Sequence, residues 1–275
     1  MNAFARPATL DQAIAALSSG PWRLMAGGTD LFPTAGAAFP GQVLDLTAIP
    51  DLRGITREDG LRIGACTTWT DLAEAALPPA LRAVQQAARQ VGGRQIQNVG
   101  TIGGNLCNAS PAADGVPPLL ALDAAVELVG PEGRRVLPLA EFLTGPRQTA
   151  RGAREVLTAI LVPETALTGR SAFMKLGARA YLVISIAMVA ARVVAERGRI
   201  AQVALAVGAC SASARRLPGL EAALIGLAPN AALAAVTEEA VAAHLAPIDD
   251  IRASAAYRTA AAAELLRRAL AEVLG

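Results

Sequence analysis

The stretch Gly100-Thr101-Ile102-Gly103-Gly104-Asn105 runs on through Asn108, Ser110 and Pro111 to Asp114. It is a dense polar passage in an otherwise alanine-rich chain. A second glycine pair precedes it, in Ala26-Gly27-Gly28-Thr29-Asp30-Leu31. Each passage follows a segment that reads as a strand or a tight loop, and each sets adjacent glycines beside a threonine. Glycine lets backbone N–H groups approach a ligand closely and takes up positive φ without penalty. Successive N–H groups in such turns form an anion-binding concavity. Two of them in one domain suit a diphosphate held from both sides, as in a dinucleotide.

The rest of the composition narrows the field. At 275 residues the chain suits two or three modest domains or one large one. Hydrophobic residues make up 53%, enough to fill a core, while aromatics at 3% leave little surface for stacking bases. The net charge is +2 and the arginines are scattered among acids, so no nucleic-acid footprint is visible. Met1 to Ala16 lacks the basic, apolar and cleavage regions of a signal peptide. The most apolar run, Ala180 to Ala191, is closed by Arg192; it is too short to span a bilayer and reads as a core strand. Cys66, Cys107 and Cys210 are far apart, with no CxxC, so no iron–sulfur cluster or zinc site is expected on this chain. Three free thiols suit a reducing cytoplasm. Cys66 and Cys210 read as small buried hydrophobes. Cys107, just after a glycine loop, is expected near a ligand without reacting.

Thr9-Leu10-Asp11-Gln12 has capping-box spacing, Leu10, Ile14 and Leu17 mark one helical face, and Gly20-Pro21 stops it. Trp22 to Met25 reads as a strand that delivers the first glycine loop. Val43 to Leu46 and Leu61 to Ala65 are further strands. Asp71 to Ala76 is a short helix, and Leu81, Val84, Ala88 and Val91 space a longer one ending at Gly92-Gly93. Ala124 to Val129 and Glu155 to Val162 read as strands. A boundary falls near Pro163 to Gly169. Beyond it, Ile184 to Ala195 and Ile200 to Ala209 flank Glu196-Arg197-Gly198-Arg199, a hairpin signal. From Asn230 to Leu274 the chain is mostly helical in propensity.

Several common chemistries are missing. There is no GxxxxGK[ST], no GxGxxG opening a helix and no GxSxG elbow. His244 is the one histidine, in a helical stretch late in the chain. No carboxylates pair at acid/base spacing. Such a chain is poor in proton-transfer groups and well equipped to hold a phosphate-bearing cofactor. A flavin fits, because it brings its own redox chemistry and asks the protein for position and electrostatics.

At these residues the sequence resembles the FAD-binding (medium) subunit of the molybdenum hydroxylases, the xanthine dehydrogenase, aldehyde oxidoreductase and carbon monoxide dehydrogenase family. The resemblance covers nearly the whole chain. Phe4 to Leu17 resembles the family's opening, and Ala26 to Leu31 its first FAD loop. Thr101-Ile102-Gly103-Gly104-Asn105-Leu106, continuing through Ala109-Ser110-Pro111 to Asp114, resembles its most specific signature. Phe173-Met174-Lys175 with Arg179 resembles the start of its C-terminal domain. Tyr257-Arg258 followed by Leu265 to Leu270 resembles its closing helix. The run after Gly208, Ala209-Cys210-Ser211-Ala212-Ser213-Ala214-Arg215-Arg216, lacks the family's proline, which puts the local turn in question.

The resemblance implies an α+β fold. A two-part FAD-binding domain of the vanillyl-alcohol oxidase (PCMH) type would span 1–166, with parts about 1–55 and 56–166. A C-terminal α+β domain of the carbon monoxide dehydrogenase flavoprotein type would span 167–275. It also implies site residues. Leu24, Met25, Ala26, Gly27, Gly28, Thr29, Asp30 and Leu31 would wrap the FAD pyrophosphate. Thr101, Ile102, Gly103 and Gly104 would approach it from the other side, with Asn105 supporting the turn. Asp114 would accept hydrogen bonds from cofactor hydroxyls, Val91 would lie near the cofactor, and Lys175 near its edge. Competing local readings are an ordinary turn at Gly27-Gly28, an N-cap at Asp114 and a solvated charge at Lys175. Tyr181 fits either beside the flavin ring or buried in the hairpin.

The implied function is electron transfer. An iron–sulfur small subunit would carry two [2Fe–2S] clusters and a molybdopterin large subunit the molybdenum cofactor. This chain would take electrons from the clusters and pass them to NAD⁺, oxygen or a quinone. A self-contained flavin reductase of the same fold, resembling the enolpyruvyl-sugar reductases, is the alternative, and a scaffold that has lost FAD is a third.

Overall fold

A computed structural model describes residues 3–34 and 41–275. Met1 and Asn2, the start of the stretch read for a leader, lie outside the described residues. The first part of the chain contains β1 (Phe4–Ala5), α1 (Leu10–Ser19), β2 (Trp22–Met25), α2 (Leu31–Thr34) and β3 (Gln42–Asp45). Its three strands form a parallel sheet in the order β1-β3-β2. Thr9 caps α1, its Oγ1 accepting from the Gln12 N–H at 3.3 Å. The return bond of a capping box lands one residue early: Gln12 Oε1 accepts from Ala8, not from Thr9. Ala13 and Leu17 of α1 pack with Leu44, Ile49 and Leu52 in a small core.

The second part follows with β4 (Ile55–Glu58), β5 (Gly60–Gly64), α3 (Trp69–Glu74), α4 (Arg82–Gln90), α5 (Arg94–Gln97), α6 (Ile102–Asn108) and α7 (Val116–Ala121). Then come β6 (Ala125–Gly130), β7 (Gly133–Pro138), α8 (Leu139–Phe142), β8 (Leu143–Gly145), β9 (Gln148–Thr149) and β10 (Val156–Val162). An antiparallel sheet β4-β5-β10-β6-β7 backs the largest core, which includes Trp69, Leu81, Ile102 and Phe142. Helix α3 starts at Trp69, two residues before the sequence reading, because Thr68 and Asp71 form a full capping box.

The third part contains β11 (Arg170–Leu176), β12 (Ala187–Glu196), β13 (Arg199–Gly208), β14 (Arg215–Arg216), α9 (Pro218–Leu224), α10 (Pro229–Ala235), α11 (Glu238–Ala242) and α12 (Ala255–Leu274). The strands form an antiparallel sheet in chain order. The β12–β13 turn places Arg197 at φ 49° and Gly198 at φ 73°, the left-handed pair that two-residue hairpins favour. Both faces of this sheet are covered. Ala187, Val189 and Ala191 pack toward Ala262, Leu266 and Leu270 of α12. Met188, Ala190, Phe173 and Ala204 pack against Ala83 and Ala87 of α4 and Ala121 of α7. Small residues on that second face let helix and sheet approach closely. Burial on both sides explains why β12 reads as a continuous apolar run.

The run nevertheless splits. Only from Ala187 on is it strand; residues 177–185 form a loop whose neck is closed by the Ile186 N–H donating to the Leu176 carbonyl at 2.8 Å. Tyr181 is 73% exposed on this loop, so it is neither buried nor in the hairpin. At the stretch without proline, Ala209 takes φ 61° and makes the turn itself. Arg216 then donates to the Asp123 carboxylate at 2.6 Å and the Leu120 carbonyl at 3.0 Å, pinning the third part to the second. Among the described residues no helix is long and apolar enough to cross a membrane.

Candidate functional site

A cavity of about 1140 Å³ lies where the three parts meet. The loop after β2 forms one wall and the start of α6 another. The β8–β9 hairpin and the loop before β12 complete it. The two glycine passages touch backbone to backbone: a Cβ on Gly27 would land on the Val99 carbonyl. Gly28 sits at φ 69°, with the Phe32 ring where a side chain would go. A residue other than glycine is strained in that backbone region. These are tight constraints, not an ordinary solvent-facing turn.

The second passage is the capped start of α6 and not the loop its glycines suggest. Thr101 is the N-cap at φ −117°, and its Oγ1 accepts from the Gly104 N–H at 3.2 Å. The Ile102 N–H donates to the Thr67 carbonyl at 3.1 Å and the Gly103 N–H to the Ala65 carbonyl at 2.9 Å. The helix N-terminus is therefore spent on the protein itself. Gly103 is glycine for packing: a Cβ would lie 2.7 Å from both the Cβ and the carbonyl oxygen of Ala65. By contrast, among the described residues no hydrogen bond within the chain occupies the N–H groups of Gly27, Gly28, Thr29 or Asp30. The donors that can meet an anion thus come from the first passage.

Of the residues expected at the site, Leu24 to Leu31, Val91, Thr101, Gly104, Asn105 and Asp114 line the cavity. Ile102 and Gly103 lie behind the wall, and both are buried. Lys175 is not in the wall either; its side chain is 7% exposed and its Nζ donates to Asp114 Oδ2 at 2.7 Å. It is neither a solvated charge nor a lining group. Nor does Asp114 cap α7: Gly115 is at that position and no side chain caps it. The Ser185 hydroxyl donates to the other Asp114 oxygen at 2.8 Å. Burial pushes the Asp114 carboxyl above its ordinary value, while the charge and hydrogen bond of Lys175 and the hydrogen bond of Ser185 oppose that shift.

The sequence reading missed the β8–β9 hairpin, which brings Thr144 and Arg147 to the wall, and Arg151 just past the hairpin, which lines it too. Arg147 holds a left-handed backbone at φ 59°, and its guanidinium donates to Asn108, fastening the hairpin to the end of α6. With Arg23, these arginines set three cationic side chains against Asp30 and Asp114, and Asp114 is already paired with Lys175. Cys107 also lines the cavity, as its position after the glycines suggested. Burial pushes the Cys66 and Cys210 thiols up to about 12, which makes them inert. His244 lies beside Gly219, outside the cavity. No group of three metal-ligating side chains occurs among the described residues.

The donor set fits a flavin dinucleotide. Free backbone N–H groups and three arginines suit a diphosphate. Asn105 Oδ1 is buried at the wall without a partner, ready to accept from a ligand hydroxyl. A volume just above the usual range for small-molecule sites suits a large ligand.

This frame and cavity define a flavoprotein subunit. Residues 1–165 match the family described as the FAD binding domain in molybdopterin dehydrogenase. Residues 171–273 match the CO dehydrogenase flavoprotein C-terminal domain. The chain therefore belongs to the FAD-binding subunits of the molybdenum hydroxylases. It is 33% identical to the putative xanthine dehydrogenase FAD-binding subunit of Escherichia coli (strain K12), over 98% of this chain and 94% of that protein. It is 31% identical to the carbon monoxide dehydrogenase medium chain of Hydrogenophaga pseudoflava, over 96% and 94%. Among solved structures, the Cu,Mo-CO dehydrogenase in its cyanide-inactivated form superposes with a TM-score of 0.91 at 31% identity, covering 100% of this chain and 98% of that one. The match of the C-terminal domain as well as the FAD domain favours the electron-transfer subunit over a self-contained reductase.

Proposed function

We propose that this chain takes electrons from the [2Fe–2S] clusters of a small subunit, which receive them from a molybdopterin large subunit, and delivers them to NAD⁺, oxygen or a quinone. What supports this is the cavity, which brings free backbone N–H groups and three arginines together for a diphosphate, in a chain whose two halves both match this family. Bound FAD supplies the exchange between one- and two-electron steps. The chain's own residues do the holding. Gly27 to Asp30 offer backbone N–H groups to the diphosphate, and Arg23, Arg147 and Arg151 offer charge. Asn105 and Asp114 accept from hydroxyl groups, and Val183 and Ile184 exclude water at one wall. The division into an FAD domain at 1–166 and a C-terminal domain at 167–275 and a cytoplasmic setting belong to the same reading.

The test is a comparison of the isolated chain with the chain mixed with its partners. Alone, it should bind FAD and accept electrons from NADH or an artificial donor. It should oxidise no aldehyde, purine or carbon monoxide until the partners are added. Turnover of such a substrate by the isolated chain would transfer the reading to the self-contained flavoenzyme.

A further inference from the structure

The loop 177–185 reaches the cavity from the C-terminal domain, with Val183 and Ile184 in the wall. Its two stems carry Lys175 and Ser185, and these grip the two oxygens of a single carboxylate. Lys175 Nζ lies 2.7 Å from Asp114 Oδ2, and Ser185 Oγ 2.8 Å from Asp114 Oδ1. All three residues are secluded: Ser185 is fully buried, Asp114 is 7% exposed, and the Lys175 side chain is 7% exposed. Asp114 belongs to the other side of the junction, at the end of the polar passage that opens with α6.

The Ser185 stem is itself held from behind. The Ile186 N–H donates to the Leu176 carbonyl at 2.8 Å and closes the loop neck. The Ile186 carbonyl accepts from the buried guanidinium of Arg258 at 2.6 Å, and that guanidinium is ion-paired to Asp250 at 2.7 Å. Within the loop, Arg179 donates to the Leu182 carbonyl, and Val183 packs over Gly177. The backbone around Ser185 is thus fixed by α12, and its hydroxyl has one partner across the junction.

We propose that Ser185 is a positioning residue for the cofactor, acting through Asp114: with Lys175 it fixes the carboxylate in the cavity wall and latches the loop that carries Val183 and Ile184 against the bound dinucleotide. This rests on the cavity being the FAD site. A carboxylate oxygen has room for a second hydrogen bond after taking one from Ser185 or Lys175. Asp114 can therefore hold the loop and receive a ligand hydroxyl together. Because the latch fixes the position of the group that the ligand meets, ordering one favours the other, and the coupling is reciprocal.

The experiment is a double-mutant cycle on the full chain, with FAD affinity read from flavin fluorescence quenching and folding checked by circular dichroism. Ser185→Ala should weaken FAD binding about tenfold, in line with loss of one hydrogen bond to a charged group. Ser185→Cys, which keeps the volume with a weaker donor, should fall between the two. In an Asp114→Ala background the Ser185→Ala change should add no further loss. If Asp114→Ala does not fold, Asp114→Asn takes its place, and the Ser185 penalty should shrink at least threefold. Unchanged affinity in Ser185→Ala, or penalties that multiply independently, would overturn the proposal while leaving the FAD site standing. Absence of FAD binding by the unmutated chain would overturn the reading of the site itself.

Discussion

Gly27 has no room for a methyl group, because the Val99 carbonyl occupies the place. Gly27→Ala should therefore weaken FAD binding at least tenfold and lower stability by about 1–3 kcal/mol, the usual cost of overpacking. Flavin titration and denaturant unfolding read the two effects. Gly103 and Gly28 should separate them. Gly103→Val should act first on the fold, since its Cβ meets Ala65 and not the cavity. Gly28→Val should strain a left-handed backbone in the wall and act mainly on FAD. Equal flavin loss at equal stability in the two variants would contradict this division. Lys175 gives a pH signature. A carboxyl whose folded value is raised binds its proton more tightly when folded, so its contribution to stability is present at low pH and lost as pH rises through the folded value. Removing Lys175 takes away the charge that opposes the rise. Lys175→Met should lose about 3 kcal/mol at pH 7, the order expected for one partner of a buried pair, and recover part of it at pH 5. Urea unfolding at both values checks it; a deficit that grows on acidification would be the wrong sign. That Asp114 and the first glycines would meet at one cavity was legible from the motifs that carry them. The partners of Asp114 were not, since Ser185 lies far along the chain and nothing local marks it.

Elements were legible where local rules act alone. The β12–β13 hairpin was visible from two apolar runs around a glycine turn, and its geometry suggests an improvement. Arg197 is held at positive φ, where asparagine is better tolerated. Arg197→Asn should raise stability by about 0.5 kcal/mol, some 1–2 °C in melting temperature by the usual scaling, without touching FAD affinity. Thermal unfolding with and without flavin reads both. Helix α6 was misread as a loop because glycine pairs usually signal turns. Here Thr101 caps the helix and Gly103 lets it settle onto Ala65 at the end of β5, a tertiary contact with no local signal. Thr101→Ala should cost about 1 kcal/mol through loss of that cap. The loop 177–185 was hidden for the opposite reason: apolar residues that line a cavity look like apolar residues that fill a strand.

At the scale of the whole molecule, the cavity draws its wall from the first thirty-odd residues, the middle and the C-terminal domain together. Its volume suits a dinucleotide and its cationic side chains suit a diphosphate. Flavin released by denaturation should therefore be FAD, and chromatography that found FMN alone would contradict the reading. The order of the main strands and of the closing helix was legible because the apolar runs and the Tyr257 to Leu270 stretch each carry their own pattern. The packing of the third sheet between α12 on one face and α4 and α7 on the other was not, because alanines spaced along a strand do not say what they touch. That wall has a consequence for how the protein is made. The peptide is threaded from the ribosome N-terminus first, so Gly27 and Gly28 emerge long before Val183 and Ser185. Arg258, which anchors the stem behind Ser185, emerges later still. The early glycines must therefore wait for Ser185, and for the Arg258 that braces it, before the flavin seat is whole, so cofactor loading follows synthesis of the C-terminal domain and cannot guide folding of the first.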